Sequence, residues 1–345
     1  MTCPPYSRDG WVKNLDELRR LEGFAEDFAE LLGPEVIIIL QYRVLQKLGV
    51  QRVKLENKKD LAALIQSRPG VRVDPNSLFD TQVCRIHKYK RQHLNVLYII
   101  TLYNRLKHQS NLAITPTFIF GGKAAPSYDM AKLIIKLINS VAEMVNRDPD
   151  IRDRLKVVFI PNVNVQNAQK IYPAADLSEQ ISLASMEASG TSNMKLALNG
   201  ALTLGTPGGA NVEIRNEVGP EHFFLFGHSA PEVLGLKSGG YDPGSYYHDN
   251  LYLREAVNLI SSGFFSHGDQ GLFVPLLESL LHRDEYLLLA DYQSYVDRQD
   301  EVGQIFQDRI RWTRTSILNV ARMGKFSSDR TIREYCEKIW DVRPL

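Results

Sequence analysis

Two stretches carry side chains whose types and spacing suit the handling of an anion. In Glu187 to Ile214, the residues Ser189, Gly190, Thr191, Ser192 and Asn193 directly precede Met194 to Leu198, a run able to form a helix. Small residues let backbone N–H groups approach an anion, hydroxyls add donors, and a helix N-terminus adds positive potential. Lys195 stands one turn in, where a short helix can aim its amine at the same ligand. A desolvated lysine gives up its proton more readily, which would free that amine for imine formation with a carbonyl compound. The alternative is a helix capped by serine or threonine with a solvent-facing lysine. The second stretch is Arg85, Ile86, His87, Lys88, Tyr89, Lys90 and Arg91. Arg85 can offer a planar fork and Lys90 a point charge to a phosphate. Taken alone, the same cluster is what a solvated face or a nucleic-acid patch looks like.

Composition narrows the choice. The chain has 345 residues, 44% of them hydrophobic, enough to bury a large core without disulfides. Lysine plus arginine number 41 against 40 acidic residues, a net charge of +1, which disfavours nucleic acid or an anionic membrane as partner. Any anion must be bound locally. Cys3, Cys84 and Cys336 are odd in number, widely spaced and without zinc spacing, which fits a reducing cytoplasm better than a disulfide scaffold. Met1 to Arg8 holds two prolines and no apolar run, so no secretory signal is expected. The longest apolar run, Val36 to Leu40, is too short to span a bilayer and reads as a buried helix or strand segment.

These side chains need elements to position them. Residues 1–50 read as a helical lead-in, part of a charged helical pattern from Leu15 to Leu64, and 51–345 as the main domain. Short β-rich runs then alternate with amphipathic ones: Leu78 to Val83, Tyr89 to Leu106, Thr117 to Phe120, Tyr128 to Val145 and Lys156 to Ile160. Met130, Leu133, Ile134, Leu137, Ile138 and Val141 form one helical stripe, with Lys132 and Lys136 facing water. Strand-helix alternation implies parallel strands joined by right-handed crossovers, a three-layer Rossmann-like α/β fold. In such sheets ligands sit beyond the carboxyl ends of the strands, which points to Cys84 to Arg91, Gly121 to Pro126 and Pro161 to Val165. Residues 231–345 read as mainly helical. Ile332, Tyr335, Cys336, Ile339 and Trp340 are expected to form a packing stripe on the last helix, with Ser328 as its N-cap.

The run from Glu187, EASGTSNMKLALNGALTLGTPGGANVEI, together with RIHKYKRQ from Arg85, FGGKAAP from Phe120, PAADLSEQIS from Pro173 and GKFSSDRTI from Gly324, resembles the α-glucan phosphorylases. The resemblance runs from about Leu55 to the C-terminus. It implies the C-terminal domain of the two-domain GT-B glycosyltransferase fold, without the amino-terminal half. The activity implied is phosphorolysis: orthophosphate attacks a terminal α-1,4 bond of a glucan and releases α-D-glucose 1-phosphate with retention. The implied cofactor is pyridoxal 5′-phosphate, tethered as a Schiff base, with its own phosphate acting as the proton shuttle.

Carried onto matching positions, the resemblance makes Lys195 the Schiff-base lysine and places Gly190, Thr191 and Ser192 at the cofactor. It gives Arg85 and Lys90 to the substrate phosphate, and Glu187, Ser189 and Gly190 to glucosyl hydroxyls. His87 and Tyr89 would line the same pocket, either in direct contact or by packing. The implied partners are an α-1,4-glucan, orthophosphate and glucose 1-phosphate, with an amino-terminal half or a second copy as protein partner. Three positions depart from the pattern: Cys84 replaces a lysine, Val163 and Asn164 replace a tyrosine and a polar or basic residue, and Gly208 after Pro207 replaces an aspartate. Each flanks the cofactor site, so weaker cofactor binding is expected. The non-enzymatic alternative is a glucan-associated or regulatory remnant.

Overall fold

The structure, a computed structural model, describes residues 49–108, 114–151, 153–187 and 189–342. Cys3, Val36 to Leu40 and nearly all of the expected lead-in lie outside the described residues. The described chain opens with α1 (Val50–Ser67). Then follow β1 (Leu78–Val83), α2 (Gln92–His108), β2 (Pro116–Gly122), α3 (Asp129–Arg147), β3 (Lys156–Pro161), α4 (Val165–Ala174) and β4 (Leu177–Gln180). The second half of the sheet alternates α5 (Ser192–Leu198), β5 (Leu202–Gly205), α6 (Ala210–Val218) and β6 (Phe223–Leu225). Every strand pair is parallel, and the order is β3-β2-β1-β4-β5-β6. This is the doubly wound Rossmann-like arrangement expected from the alternation.

The pleat explains why helices cover both faces. Leu78, Phe118, Phe120 and Val157 join one core with α2 and α3, while Phe79, Ile119, Val158 and Ile160 join another with Leu61 and Ile65 of α1 and Ile171 of α4. In α3, Ile134, Leu137, Ile138 and Val141 are buried and Lys132 and Lys136 exposed, as the periodicity required. The order reverses between β1 and β4, so the loops after these strands, 84–91 and 181–191, face one crevice. The remaining chain is helical: α7 (Ala230–Ser238), α8 (Pro243–Asp249), α9 (Leu251–Ser261), α10 (Val274–His282), α11 (Leu288–Gln307), α12 (Arg309–Arg322) and α13 (Ser328–Tyr335).

Two expectations at the C-terminus need correction. The N-cap of α13 is Ser327, whose side chain accepts from the Asp329 N–H, because Ser328 already has helical geometry. The stripe on this last element does not pack: Ile332, Tyr335, Ile339 and Trp340 are 51%, 44%, 68% and 55% exposed. Spacing created the apolar face, but no described element lies against it. Accordingly Ile339→Asp should change the unfolding free energy by no more than about 0.5 kcal/mol. By contrast Ile134→Val, in a fully buried position of α3, should cost about 1 kcal/mol. Urea unfolding of the two variants checks this; a larger loss for Ile339→Asp would mean the stripe is covered within this chain.

Candidate functional site

The carboxyl ends of the strands are drawn together by glycines. Gly121 and Gly122 end β2, and a Cβ on Gly122 would lie 2.2 Å from the Cys84 carbonyl oxygen. This close approach lets the ladder run on, with the Cys84 N–H donating to Gly121 O at 3.0 Å and the Ile86 N–H to Lys123 O at 3.2 Å. Ile86 is buried and pins the basic segment to the core, while Arg85 before it is exposed. His87 caps a 3₁₀ turn at Lys88–Lys90, its Nδ1 accepting from the Tyr89 N–H at 3.3 Å. Its ring lies 4.5 Å from that of Tyr89 and 4.8 Å from that of Tyr128, centroid to centroid. Burial and the charges of Lys90 and Lys88 lower the His87 pKa, so the ring is neutral at physiological pH. His87 thus shapes the turn.

The basic cluster does not form one solvated face. Lys88 reaches Glu285 at 2.7 Å, Lys90 pairs with Glu187 Oε2, and Arg91 turns inward to complete burial. Glu187 also accepts from Ser182 Oγ at 3.3 Å, and the Leu183 N–H donates to Tyr89 O at 3.2 Å, so the loops after β1 and β4 are stitched together. Burial opposes charge on Lys90, but Cys84 and the Glu187 carboxylate more than offset it, and its pKa is raised. Burial pushes the Cys84 thiol up to about 11 against the pull of Lys90. Cys84 is therefore uncharged at neutral pH, and the Glu187 carboxylate is the negative charge that pairs with Lys90.

The Glu187 loop continues into α5, whose N-cap Thr191 makes no side-chain cap bond. Asn193, Leu196 and Ala197 are buried; Thr191 and Lys195 are exposed and Ser192 half-buried. The desolvation expected around Lys195 is absent, because its face of α5 is not covered by any described element. Its ammonium forms no ion pair among the described residues, so amine and hydroxyls stand open together. Ser189 is exposed, and Gly190 is tight, since a Cβ there would meet the Asn193 amide at 3.0 Å. Gln180, Ser182, Glu187, Ser189, Asn193 and Asn211 help enclose a cavity of about 20 Å³ at the ends of β4 and β5. Another cavity, of about 270 Å³, lies at the opposite end of the strands, and its lysines are used internally. There Lys58 pairs with Asp176 at 2.5 Å, and Lys54 donates to Ala175 O at 2.5 Å.

Two of the three departures have local explanations. Val163 is half-buried against the α1 and α4 side of the core, and Asn164 caps α4 by accepting from the Asn167 N–H at 3.0 Å. A side chain at Gly208 would place its Cβ 2.9 Å from Ala184 Cα, so the glycine lets the β5 loop pack beneath the Glu187 loop. Residues missed by the sequence reading are Asp291, which pairs with Arg91 behind the site, and His228, which lies against Asp291. They lie far from it in sequence, and only charge type hinted at them.

The chain matches the carbohydrate phosphorylase family over residues 6–342, so the likeness extends well before Leu55, where the motifs alone placed its start. It is 58% identical over 338 residues to the glycogen phosphorylase of Synechocystis sp., covering 98% of this chain and 38% of that protein. With the muscle form of mouse glycogen phosphorylase it shares 47% identity, covering 97% and 38% respectively. With that of Bacillus subtilis it shares 48%, covering 98% and 40%. The chain thus spans 38% to 40% of the length of these curated relatives. A family match across nearly the whole chain, on a doubly wound parallel sheet, makes this chain a member of the carbohydrate phosphorylase family.

Proposed function

We propose that this chain supplies the cofactor-holding and phosphate-holding half of an α-1,4-glucan phosphorylase. The strongest support is the pairing of Lys90 with Glu187 at the sheet's switch point, with Arg85 exposed on the same loop as Lys90 and Lys195 open on the next helix. The residues present suit pyridoxal 5′-phosphate: an accessible primary amine at Lys195, one helical turn from the uncommitted hydroxyl of Thr191. When bound, that group supplies a phosphate able to exchange a proton with the substrate phosphate. Arg85 holds the orthophosphate dianion through its planar fork, and Lys90 adds a fixed positive charge against which negative charge can develop. Glu187 pairs with Lys90 and, with Ser189 and the Gly190 backbone, presents polar groups to glucosyl hydroxyls. Thr191 and Ser192 donate to the cofactor's phosphate and Lys195 anchors its aldehyde end.

The substrates of this reading are orthophosphate and the non-reducing end of an α-1,4-glucan, with glucose 1-phosphate as product. Turnover by the chain alone is expected to be negligible, because an open crevice neither excludes water nor positions the acceptor. A second reading, a non-catalytic glucan-associated remnant, draws support from Cys84, which brings no charge where a cofactor phosphate would lie.

Absorbance spectroscopy of the chain with added pyridoxal phosphate, followed by borohydride reduction and peptide mass spectrometry, separates them. The phosphorylase reading expects one reduced adduct at Lys195 and its loss in Lys195→Ala. Labelling spread over surface lysines, unchanged in that variant, overturns it. Glucan retention by a chain that takes no cofactor would favour the second reading.

A further inference from the structure

We infer that the buried Arg91–Asp291 pair is the positioning strap of this site, fixing the turn that delivers Lys90 to Glu187. The inference rests on the reading that Lys90 and Glu187 work together. Arg91 closes the 3₁₀ turn in the left-handed region at φ 54°, a conformation uncommon for a non-glycine residue and retained where surroundings enforce it. The enforcement is visible. Its Nε donates to Ile181 O at 2.7 Å, holding the start of the Glu187 loop. Its Nη1 donates to Asp291 Oδ2 at 2.6 Å and to Tyr286 O at 3.3 Å, holding α11 and the segment before it.

Asp291 continues the strap to a third strand end. Its Oδ1 accepts from the His228 backbone N–H at 3.0 Å and lies 2.6 Å from His228 Nδ1, in the loop after β6. Gly227 makes room for this: a Cβ there would sit 2.6 Å from Asp291 Oδ2. One ion pair therefore links the carboxyl ends of β1, β4 and β6, and neither of its side chains bonds to the side chain of Lys90 or Glu187. Both partners are fully buried, and a pair so buried is weak evidence for stability, which leaves a positioning role as the proposal to test.

The test uses the whole chain without cofactor or glucan. Trace acetylation by acetic anhydride, followed from pH 7 to pH 11 by peptide mass spectrometry, reads the free-amine fraction of each lysine. Arg91→Lys keeps the charge and loses the fork; Asp291→Asn keeps the size and loses the charge. In both, Lys90 acetylation at pH 9 should rise roughly threefold to tenfold, since each unit of lost pKa raises the free amine tenfold. Lys59 and Lys170, exposed on α1 and α4, should not change. Gly227→Ala, which crowds Asp291 without deleting a charge, carries the test if the other variants do not fold. Unchanged Lys90 labelling, or an equal rise at all three lysines, overturns the positioning role. Because no cofactor is used, failure here leaves Lys195 trapping untouched, and failure of that trapping leaves this result standing.

Discussion

Asp80→Asn is expected to make the chain gain stability relative to wild type as pH rises, by about 3 kcal/mol between pH 5 and pH 8. Asp80 on β1 and Glu179 on β4 are 1% and 3% exposed and share one amide, Gln299 Nε2, at 3.0 and 2.6 Å. Asp80 Oδ1 and Glu179 Oε2 have no hydrogen-bond partner among the described residues. Burial pushes Asp80 up to about 7, against the pull of Gln299, and burial with the Asp80 charge raises Glu179 as well.

A carboxyl group with a raised folded pKa keeps a proton that the unfolded chain has already released. Its stabilising contribution is complete below the unfolded value of about 4 and is lost as pH climbs through about 7. His93, whose pKa burial lowers to about 3, acts in the opposite direction, favouring the folded state as pH rises. It is present in both proteins and cancels in their difference. Urea unfolding of the two proteins at pH 5, 6, 7 and 8 reads the effect directly, and parallel profiles would show that Asp80 is ionised throughout.

Gly122→Ala should cost about 3 kcal/mol, the upper end of what overpacking imposes. The added Cβ would meet backbone, Cys84 O at 2.2 Å, and Ile86 Cδ1 at 3.1 Å, so relief requires moving the segment that carries Arg85 and Lys90. Gly235→Ala in α7 is the matched control, because its Cβ would meet nothing within 4 Å and helix propensity favours alanine. A Gly122→Ala chain as stable as this control would mean that the β1 and β2 ends sit further apart than described.

The first half of the sheet was legible because its signals are local. The strands at Pro116–Gly122 and Lys156–Pro161 are short apolar runs, and α3 carries a clean helical period, so alternation alone implied parallel pairing. The strands β4, β5 and β6 are only three or four residues long, and β4 and β5 are interrupted by polar side chains such as Ser178, Glu179 and Thr203. Only their pairing in the sheet makes them strands. The C-terminal stripe failed for a related reason: periodicity specifies a face, and nothing local specifies what will cover it.

Chemical type and spacing by themselves determined the hydroxyl-rich turn before Lys195, the cations of Arg85 to Arg91 and the family motifs that tie them together. Tertiary structure alone decided how those cations divide, with Lys90 against Glu187, Lys88 against Glu285 and Arg91 buried on Asp291. It also left Lys195 uncovered. The physical reason is distance along the chain: a charge's partner lies 97, 197 or 200 residues away, and which one it meets is settled by the order of strands.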